Sequence, residues 1–196
     1  MTDDLNEDWT EYYDEQEGRE PRPMLLEVLD RFDAPGEAID LGCGTGIETR
    51  AMLERGWSVF ASDRQEEAIL RTRRRAVAAG VEDRLTTIVA PMEEVDVPAA
   101  DLVWASFSLF FCHPARFDDV WSKMTGAIRP GGRFAGQLLG DRDTWARQLD
   151  DVSSFTVERA RALFEAFEIE RFDEEEREDE PGPKWWHVFH VVARMR

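Results

Sequence analysis

The chain contains only two cysteines, Cys43 and Cys112, among its 196 residues, which is too few for a disulfide framework. No apolar run approaches the roughly 20 residues that a membrane-spanning helix needs. The acidic start of the chain, MTDD, lacks the apolar segment of a secretory signal. These absences predict a cytoplasmic protein with no membrane partner, and the length suits one domain with its own hydrophobic core.

Basic residues are scarce as well, because 24 Lys and Arg face 42 Asp and Glu, giving a formal net charge of −18. Only Lys123 and Lys184 are lysines, and the remaining basic residues are arginines. A protein that binds the phosphate backbone of a nucleic acid needs a basic surface. The charge therefore predicts no nucleic-acid partner, and it favours solubility.

Short apolar runs alternate with stretches of helical spacing along most of the chain. The runs predicted as strands are residues 38–41, 57–63, 84–90, 101–106 and 133–139. The stretches predicted as helices are residues 24–29, 47–55, 65–79, 115–128 and 157–167. Strands that alternate with helices are typical of an α/β fold with a parallel sheet.

Two further strand-like runs, residues 167–175 and 184–194, end the sequence, with an acidic turn containing Pro181-Gly182-Pro183 between them. Two strands joined by so short a link pair in the antiparallel direction. The second run is apolar at both alternating sets of positions, which indicates a strand inside a sheet rather than at its edge. The sequence therefore predicts a doubly wound sheet that is completed by a hairpin.

A glycine-rich loop, Asp40-Leu41-Gly42-Cys43-Gly44-Thr45-Gly46, joins the first predicted strand to a helix. Glycines allow the chain to turn sharply and a ligand to approach the backbone closely. The helix start behind them offers free N–H groups and a positive dipole end. Asp63 ends the next strand and is expected beside the same crevice, where a carboxylate can accept both hydroxyls of a ribose.

The spacing of this loop separates three kinds of nucleotide site. A phosphate-binding P-loop ends in Gly-Lys-Ser/Thr, and no lysine lies near this loop. A dinucleotide loop has its third glycine five places after the first, where this chain has Ile47. An oxidoreductase with a nicotinamide cofactor is therefore disfavoured. The motif that the chain does contain is Gly42-x-Gly44-x-Gly46 preceded by Asp40.

With this motif the chain resembles the class I S-adenosylmethionine-dependent methyltransferases, whose first motif is acid-x-Gly-x-Gly-x-Gly. The resemblance covers about residues 24–196 and includes Pro91-Met92-Glu93-Glu94 after the third strand and Arg129-Pro130-Gly131-Gly132 before the fifth. It implies a three-layer, doubly wound seven-stranded sheet of order 3-2-1-4-5-7-6 with strand 7 antiparallel. It also divides the chain into an N-terminal arm or lid, residues 1–23, and a methyltransferase domain, residues 24–196.

The resemblance implies S-adenosylmethionine as cofactor and S-adenosylhomocysteine as product. The loop would receive the amino-acid end of the cofactor, Asp63 would hold the ribose, and Met92 with Glu93 would border the adenine. Pro91 stands where family members often carry Asp. The implied cofactor-binding residues are Asp40, Gly42, Cys43, Gly44, Gly46, Asp63, Arg64, Met92, Glu93 and Ser106.

Methyl transfer from a sulfonium needs little beyond alignment of the reactants in a dry site. A general base is required only if the acceptor is protonated. The motif Asn/Asp-Pro-Pro-Tyr/Phe of amino-directed nucleic-acid methyltransferases is absent, and the aromatic segment 106–111 follows the fourth strand instead. This favours a small, partly apolar acceptor. Residues 9–22 and 140–154, the latter with Arg142, Trp145 and Arg147, are candidates for selecting it.

Two residues are candidates for a catalytic role, Tyr13 in the arm and His113 beyond the fourth strand. We expect Tyr13 to line the active site; alternatively, the aromatic residues of the arm only dock it onto the core. His113 could be a base near the transferred methyl group, or it could cap the following helix or face solvent.

No metal site is expected. His187 and His190 lie three apart on a predicted strand and so point to opposite faces, and Cys112-His113 lacks partners at metal-ligand spacing. Cys43 is interpreted as a small residue that fits the tight loop rather than as a nucleophile. The main hypothesis is a methyltransferase acting on a small molecule, as a monomer or homodimer. The alternative is a non-catalytic S-adenosylmethionine-binding regulatory or partner protein.

Overall fold

The computed structural model describes residues 9–178 and 184–196. Within these ranges the centre of the molecule is one sheet of eight strands. Seven of them have five or more residues, and the eighth has two. The strands are β1 Glu37–Leu41, β2 Ser58–Asp63, β3 Leu85–Val89, β4 Ala100–Ala105, β5 Ile128–Gly140, β6 Ser154–Phe155, β7 Phe167–Glu178 and β8 Trp185–Met195.

The sheet has the order β3-β2-β1-β4-β5-β8-β7, and β6 pairs with β5. Strands β1 to β5 are parallel, whereas β8 is antiparallel to both of its neighbours. The α/β fold with a reversed, inserted last strand is therefore confirmed; β6 was not predicted. The predicted turn at Pro181-Gly182-Pro183 lies outside the described residues.

Seven α-helices occur in the described part of the chain. They are α1 Thr10–Glu15, α2 Pro23–Leu29, α3 Ile47–Glu54, α4 Glu66–Ala79, α5 Pro114–Gly126, α6 Thr144–Gln148 and α7 Val157–Ala162. The short helices α1 and α6 were not predicted. The helix predicted to reach residue 167 ends at Ala162, because Phe167 already begins β7.

Each face of the sheet carries its own apolar core, which gives the three predicted layers. On one face α2, α3 and α4 bury Leu25, Met52 and Ile69 against the strands. On the other face α5 and the segment after α7 bury Trp121 and Phe164 against the strands. None of the helices in the described ranges is long and apolar enough to cross a membrane.

Candidate functional site

The glycine loop adopts a backbone that side chains rarely tolerate. Gly42, Gly44 and Gly46 have φ values of 73°, 52° and 77°, in the left-handed region that favours glycine. A Cβ on Gly42 would lie 2.4 Å from Cβ of Ser108, and one on Gly46 would lie 2.7 Å from Cα of Thr72. Gly44 differs, because apart from its two chain neighbours no atom of the described residues lies within 4 Å of the place its Cβ would take. The loop therefore leaves open space beside Gly44.

Asp63 ties this loop to the end of β2. One carboxylate oxygen accepts the N–H of Gly44 at 2.9 Å, and the other accepts the N–H of Gln65 at 2.9 Å. Burial raises the pKa of Asp63 above its usual value, and these two N–H groups offset part of that effect. The carboxylate thus fixes the loop and also faces the cavity above it.

Asp40 lies beneath the loop and is only 2% exposed. The hydroxyl of Thr49 donates to its Oδ2 at 2.6 Å. Burial, with smaller effects of Glu48 and Asp63, raises the pKa of Asp40 to about 7. A positive charge placed nearby would shift this group to its carboxylate form.

A cavity of about 840 Å³ opens above the carboxyl ends of β1, β2 and β4, where open α/β sheets bind ligands. Nine of the ten predicted cofactor-binding residues line it: Asp40, Gly42, Cys43, Gly44, Asp63, Arg64, Met92, Glu93 and Ser106. Gly46 is not a lining residue. It precedes α3 and packs against Thr72, so its position serves the backbone turn.

Two polar atoms of lining residues are buried without a hydrogen-bond partner among the described residues. They are Oγ of Ser106 and Nε1 of Trp104. A buried polar group without a partner costs about 1–3 kcal/mol, so each has hydrogen-bonding capacity for a ligand or a water molecule. Sequence reasoning missed Trp104, although its strand position pairs in register with Asp40.

The arm is held against the domain through Glu48 in the first turn of α3, which is 7% exposed. The guanidinium of Arg19 binds both oxygens of Glu48, at 2.8 and 2.9 Å. The backbone N–H of Arg22 also donates to Glu48, at 3.2 Å. Residues 9–22 therefore form one wall of the cavity.

Tyr13 lines this cavity and is 4% exposed. Its ring stacks near Trp9, with centroids 6.5 Å apart, so the side chain docks the arm and faces the cavity at once. Burial, together with the nearby carboxylate of Asp63, raises the pKa of Tyr13 well above its usual value. The phenol therefore keeps its proton at neutral pH and can donate a hydrogen bond, which does not suit a general base.

His113 lies at the rim of the cavity and caps α5. Its Nδ1 accepts the backbone N–H of Ala115 at 3.1 Å, and the backbone N–H of His113 donates to Oε1 of Glu93 at 3.1 Å. The cysteine thiols are not activated, because burial raises the pKa of Cys43 well above its usual value and that of Cys112 to about 12. A thiol with so high a pKa is protonated at neutral pH.

A group of aromatic rings forms another part of the wall of the cavity. Phe111 is 5.4 Å from Trp9 and 5.9 Å from Trp145, and Trp186 is 5.2 Å from Trp145 and 6.0 Å from Phe107, measured between ring centroids. Phe107 and Trp145 fall in segments that the sequence indicated, whereas Trp186 was missed.

The other two residues expected to select an acceptor in segment 140–154 do not line this cavity. Arg142 binds Glu176 at 2.6 Å and also contacts Glu174. Arg147 is exposed on α6 and is not a lining residue. Only Trp145 of the three side chains named in that segment reaches the cavity, because the other two are long charged groups that extend outward.

One group of potential metal ligands occurs in the described ranges. Ligand-type atoms of Glu174, Glu176 and His187 lie within 4.8 Å of one another. Arg142 contacts both glutamates, and its Nη2 lies 3.2 Å from Nε2 of His187, so a side-chain cation already sits among these groups. His190 instead contacts Glu175, at 2.8 Å.

Comparison with known proteins gives a match to a family model described as a methyltransferase domain, over residues 38–132. The chain is 37% identical over 87 residues to a probable cobalt-precorrin-6B C(15)-methyltransferase (decarboxylating) of Pyrobaculum calidifontis, an alignment that covers 42% of this chain and 44% of the relative. It is 35% identical over 121 residues to a trans-aconitate 2-methyltransferase of Mycolicibacterium gilvum, with 60% of this chain and 44% of the relative covered. The chain thus spans less than half the length of these curated relatives.

Among solved structures, TehB from Haemophilus influenzae superposes with a TM-score of 0.81. The match covers 95% of this chain and 66% of that chain at 16% identity. At so low an identity the likeness concerns the fold, and it matches the arrangement of strands described above.

Proposed function

We propose that the chain is a class I S-adenosylmethionine-dependent methyltransferase and that it transfers a methyl group from S-adenosylmethionine to a small-molecule acceptor. The observation that carries the proposal is the loop itself. A Cβ on Gly42 or Gly46 would clash with Ser108 or Thr72, so these two positions require glycine. The place of a Cβ on Gly44, in contrast, is free of atoms from residues other than its chain neighbours. A side chain at Gly44 would stand in the cavity that a ligand needs.

The residues around this space fit such a cofactor by their chemistry. Carboxylates of Asp40 and Asp63 line the same cavity and can accept from an ammonium group and from ribose hydroxyls. The unpartnered Ser106 hydroxyl and Trp104 indole N–H add capacity for hydrogen bonds. The residues proposed to hold the cofactor are Asp40, Gly42, Cys43, Gly44, Asp63, Arg64, Met92, Glu93 and Ser106, with Gly46 shaping the turn.

When bound, the cofactor supplies a sulfonium methyl group, which an acceptor atom takes in line while the S–CH₃ electron pair stays on sulfur. The task of the chain is then to align the acceptor and exclude water. The arm, fixed through Arg19 and Glu48, covers one side of the site. Tyr13 can orient a polar acceptor by donating a hydrogen bond from its phenol O–H, and His113 remains a candidate base at the rim.

The size of the cavity supports a small acceptor. Its volume of about 840 Å³ lies toward the upper end of the roughly 300–1,000 Å³ found for small-molecule sites. The names of the relatives point the same way, since trans-aconitate is a small molecule. The net charge of −18 argues against a nucleic-acid acceptor.

Calorimetric titration of the protein with S-adenosylmethionine, S-adenosylhomocysteine and NAD tests the cofactor. We expect the first two to bind and NAD to give no heat of binding; binding of NAD alone would overturn the proposal. Incubation of methyl-labelled S-adenosylmethionine with a pool of small metabolites then tests turnover. A labelled product supports the enzyme, whereas tight cofactor binding with no product across the pool favours the non-catalytic alternative.

A further inference from the structure

Several cations lie against the aromatic wall of the cavity, and Arg22 is the one that stacks on Phe107. The guanidinium of Arg22 lies over the ring of Phe107, 4.4 Å from its centroid. Both residues line the cavity. Stacking of this kind leaves the edge of the guanidinium, with its fork of N–H donors, available to a partner in the ring plane.

Arg22 lacks the partners that neighbouring cations have. In the part of the chain that the structure describes, no carboxylate oxygen lies within 4 Å of its guanidinium, and that group donates no hydrogen bond. By contrast, Arg19 binds Glu48, Lys184 binds Asp143 and Arg177 binds Glu175.

The partial burial of Arg22 makes its charged form less favourable. Desolvation, followed by repulsion from Arg19, lowers the pKa of the Arg22 guanidinium below its usual value. A partly buried cation of this kind is stabilised by an anion that enters the cavity. The carboxylate of Glu48 does not neutralise the Arg22 guanidinium, because both of its oxygens bind Arg19.

The ring beneath Arg22 is held in a strained backbone. Phe107 has a φ of 52°, the left-handed value that bulky residues avoid. Its N–H donates at 3.1 Å to Oε1 of Gln137, a side chain that is 1% exposed. Strain of this kind persists only where the surroundings enforce it, and it is concentrated at ligand sites. Here it places the Phe107 ring between Arg22 and Trp186.

We propose that the acceptor of this protein is a flat aromatic or heteroaromatic molecule that bears an anionic oxygen group. Its ring packs against Phe107, Phe111, Trp145 and Trp186, and its anionic group pairs with Arg22. This inference rests on the proposed function, because it assigns the acceptor of the same cavity. It makes Arg22 and Phe107 the residues that determine specificity.

The test uses protein saturated with S-adenosylhomocysteine and titrated by calorimetry with matched probes. 2-Naphthoate is flat and anionic, 2-naphthamide is flat and neutral, and cyclohexanecarboxylate is anionic without an aromatic ring. We expect 2-naphthoate to bind more tightly than 2-naphthamide by about tenfold or more, as a charge-assisted hydrogen bond gives. It should also bind more tightly than cyclohexanecarboxylate, because only the aromatic probe gains ring–ring contacts. A further probe, 2-naphthyl phosphate, distinguishes a phosphate from a carboxylate as the preferred anion.

Variants separate the roles of the two residues. Arg22→Gln should abolish the preference for 2-naphthoate over 2-naphthamide, and Phe107→Leu should weaken both aromatic probes. Arg147→Gln makes the same charge change on the exposed α6, outside the cavity, and should keep the preference. Equal affinity of the acid and the amide for the unaltered protein overturns the inference, as does a preference that survives in Arg22→Gln. Failure of S-adenosylhomocysteine itself to bind instead overturns the proposed function.

Discussion

Replacing Asp63 by alanine tests the cofactor site most directly, because this carboxylate has two separable roles. It fixes the loop by accepting the N–H groups of Gly44 and Gln65, each at 2.9 Å. It also faces the cavity, where we propose that it accepts hydroxyls of the ribose. Hydrogen bonds to a charged group contribute about 1.5–3 kcal/mol. We therefore expect the affinity for S-adenosylhomocysteine to fall by roughly 10- to 150-fold.

The stability of the ligand-free protein should change less. Burial raises the pKa of Asp63, so the carboxylate pays a desolvation cost that its two hydrogen bonds only offset. The free energy of unfolding should therefore drop by less than about 2 kcal/mol. Calorimetry and urea unfolding on the same preparation measure the two effects separately.

Asp119→Ala is the matched control, because Asp119 is 78% exposed on α5 and is not a cavity-lining residue. It should leave both measurements unchanged. A loss of cofactor affinity under a few tenths of a kcal/mol, well below the range for a charged hydrogen bond, would remove Asp63 from the cofactor site. If Asp63→Ala loses affinity because the whole protein unfolds, the proposal that cofactor binding and loop stability are separable roles of Asp63 would be refuted.

Three further predictions concern the loop and the arm. Because burial raises the pKa of Asp40 to about 7, this residue keeps its proton in the folded state but loses it in the unfolded chain between about pH 4 and pH 7. The contribution of Asp40 to the free energy of unfolding should therefore fall as pH rises through that window, by at most about 1.4 kcal/mol per pH unit, and Asp40→Asn should remove this contribution in urea titrations. Gly44→Ala should weaken S-adenosylhomocysteine binding in calorimetry and lower stability only by the strain of its left-handed φ, about 1–2 kcal/mol. Gly46→Ala has the same strain and adds a clash of its Cβ with Thr72, so it should lower the melting temperature further. Deletion of residues 1–18 should reduce both cofactor affinity and turnover, since the arm walls the cavity.

Each of these has a contrary outcome. A pH profile that keeps its slope in Asp40→Asn would mean that another group titrates in that window. Similar effects of the two glycine substitutions would contradict the difference in their surroundings. Unchanged binding and turnover after the deletion would rule out a covering role for the arm.

Much of the fold could be predicted because it is recorded in local patterns. The last strand, β8, has apolar residues pointing to both faces of the sheet. That pattern predicts a strand inside the sheet, and β8 indeed lies between β5 and β7. The loop glycines were found through their spacing. That spacing did not distinguish Gly44, which faces the cavity, from Gly46, which packs against Thr72, because the difference depends on neighbours distant in sequence.

The aromatic and cationic wall could not be predicted for a related reason. Arg22 and Phe107 are 85 positions apart and meet only after α2 has packed on the sheet. No residue pattern signals a left-handed phenylalanine, since the backbone N–H of Phe107 finds its acceptor in Gln137, which is distant in sequence on a neighbouring strand. The short helices α1 and α6 are too brief for periodicity to identify.

The arrangement of the cavity has a consequence for how such a protein can change. The glycine loop and Asp63 come from β1, β2 and the turns that follow them, whereas the aromatic wall comes from the arm, α6, β8 and the segment after β4. Substitutions at Trp145 or Trp186 can therefore reshape one side of the cavity while the loop backbone stays in place. Under the proposed function, altering this wall would change which acceptor binds, while the residues proposed to hold the methyl donor keep their positions.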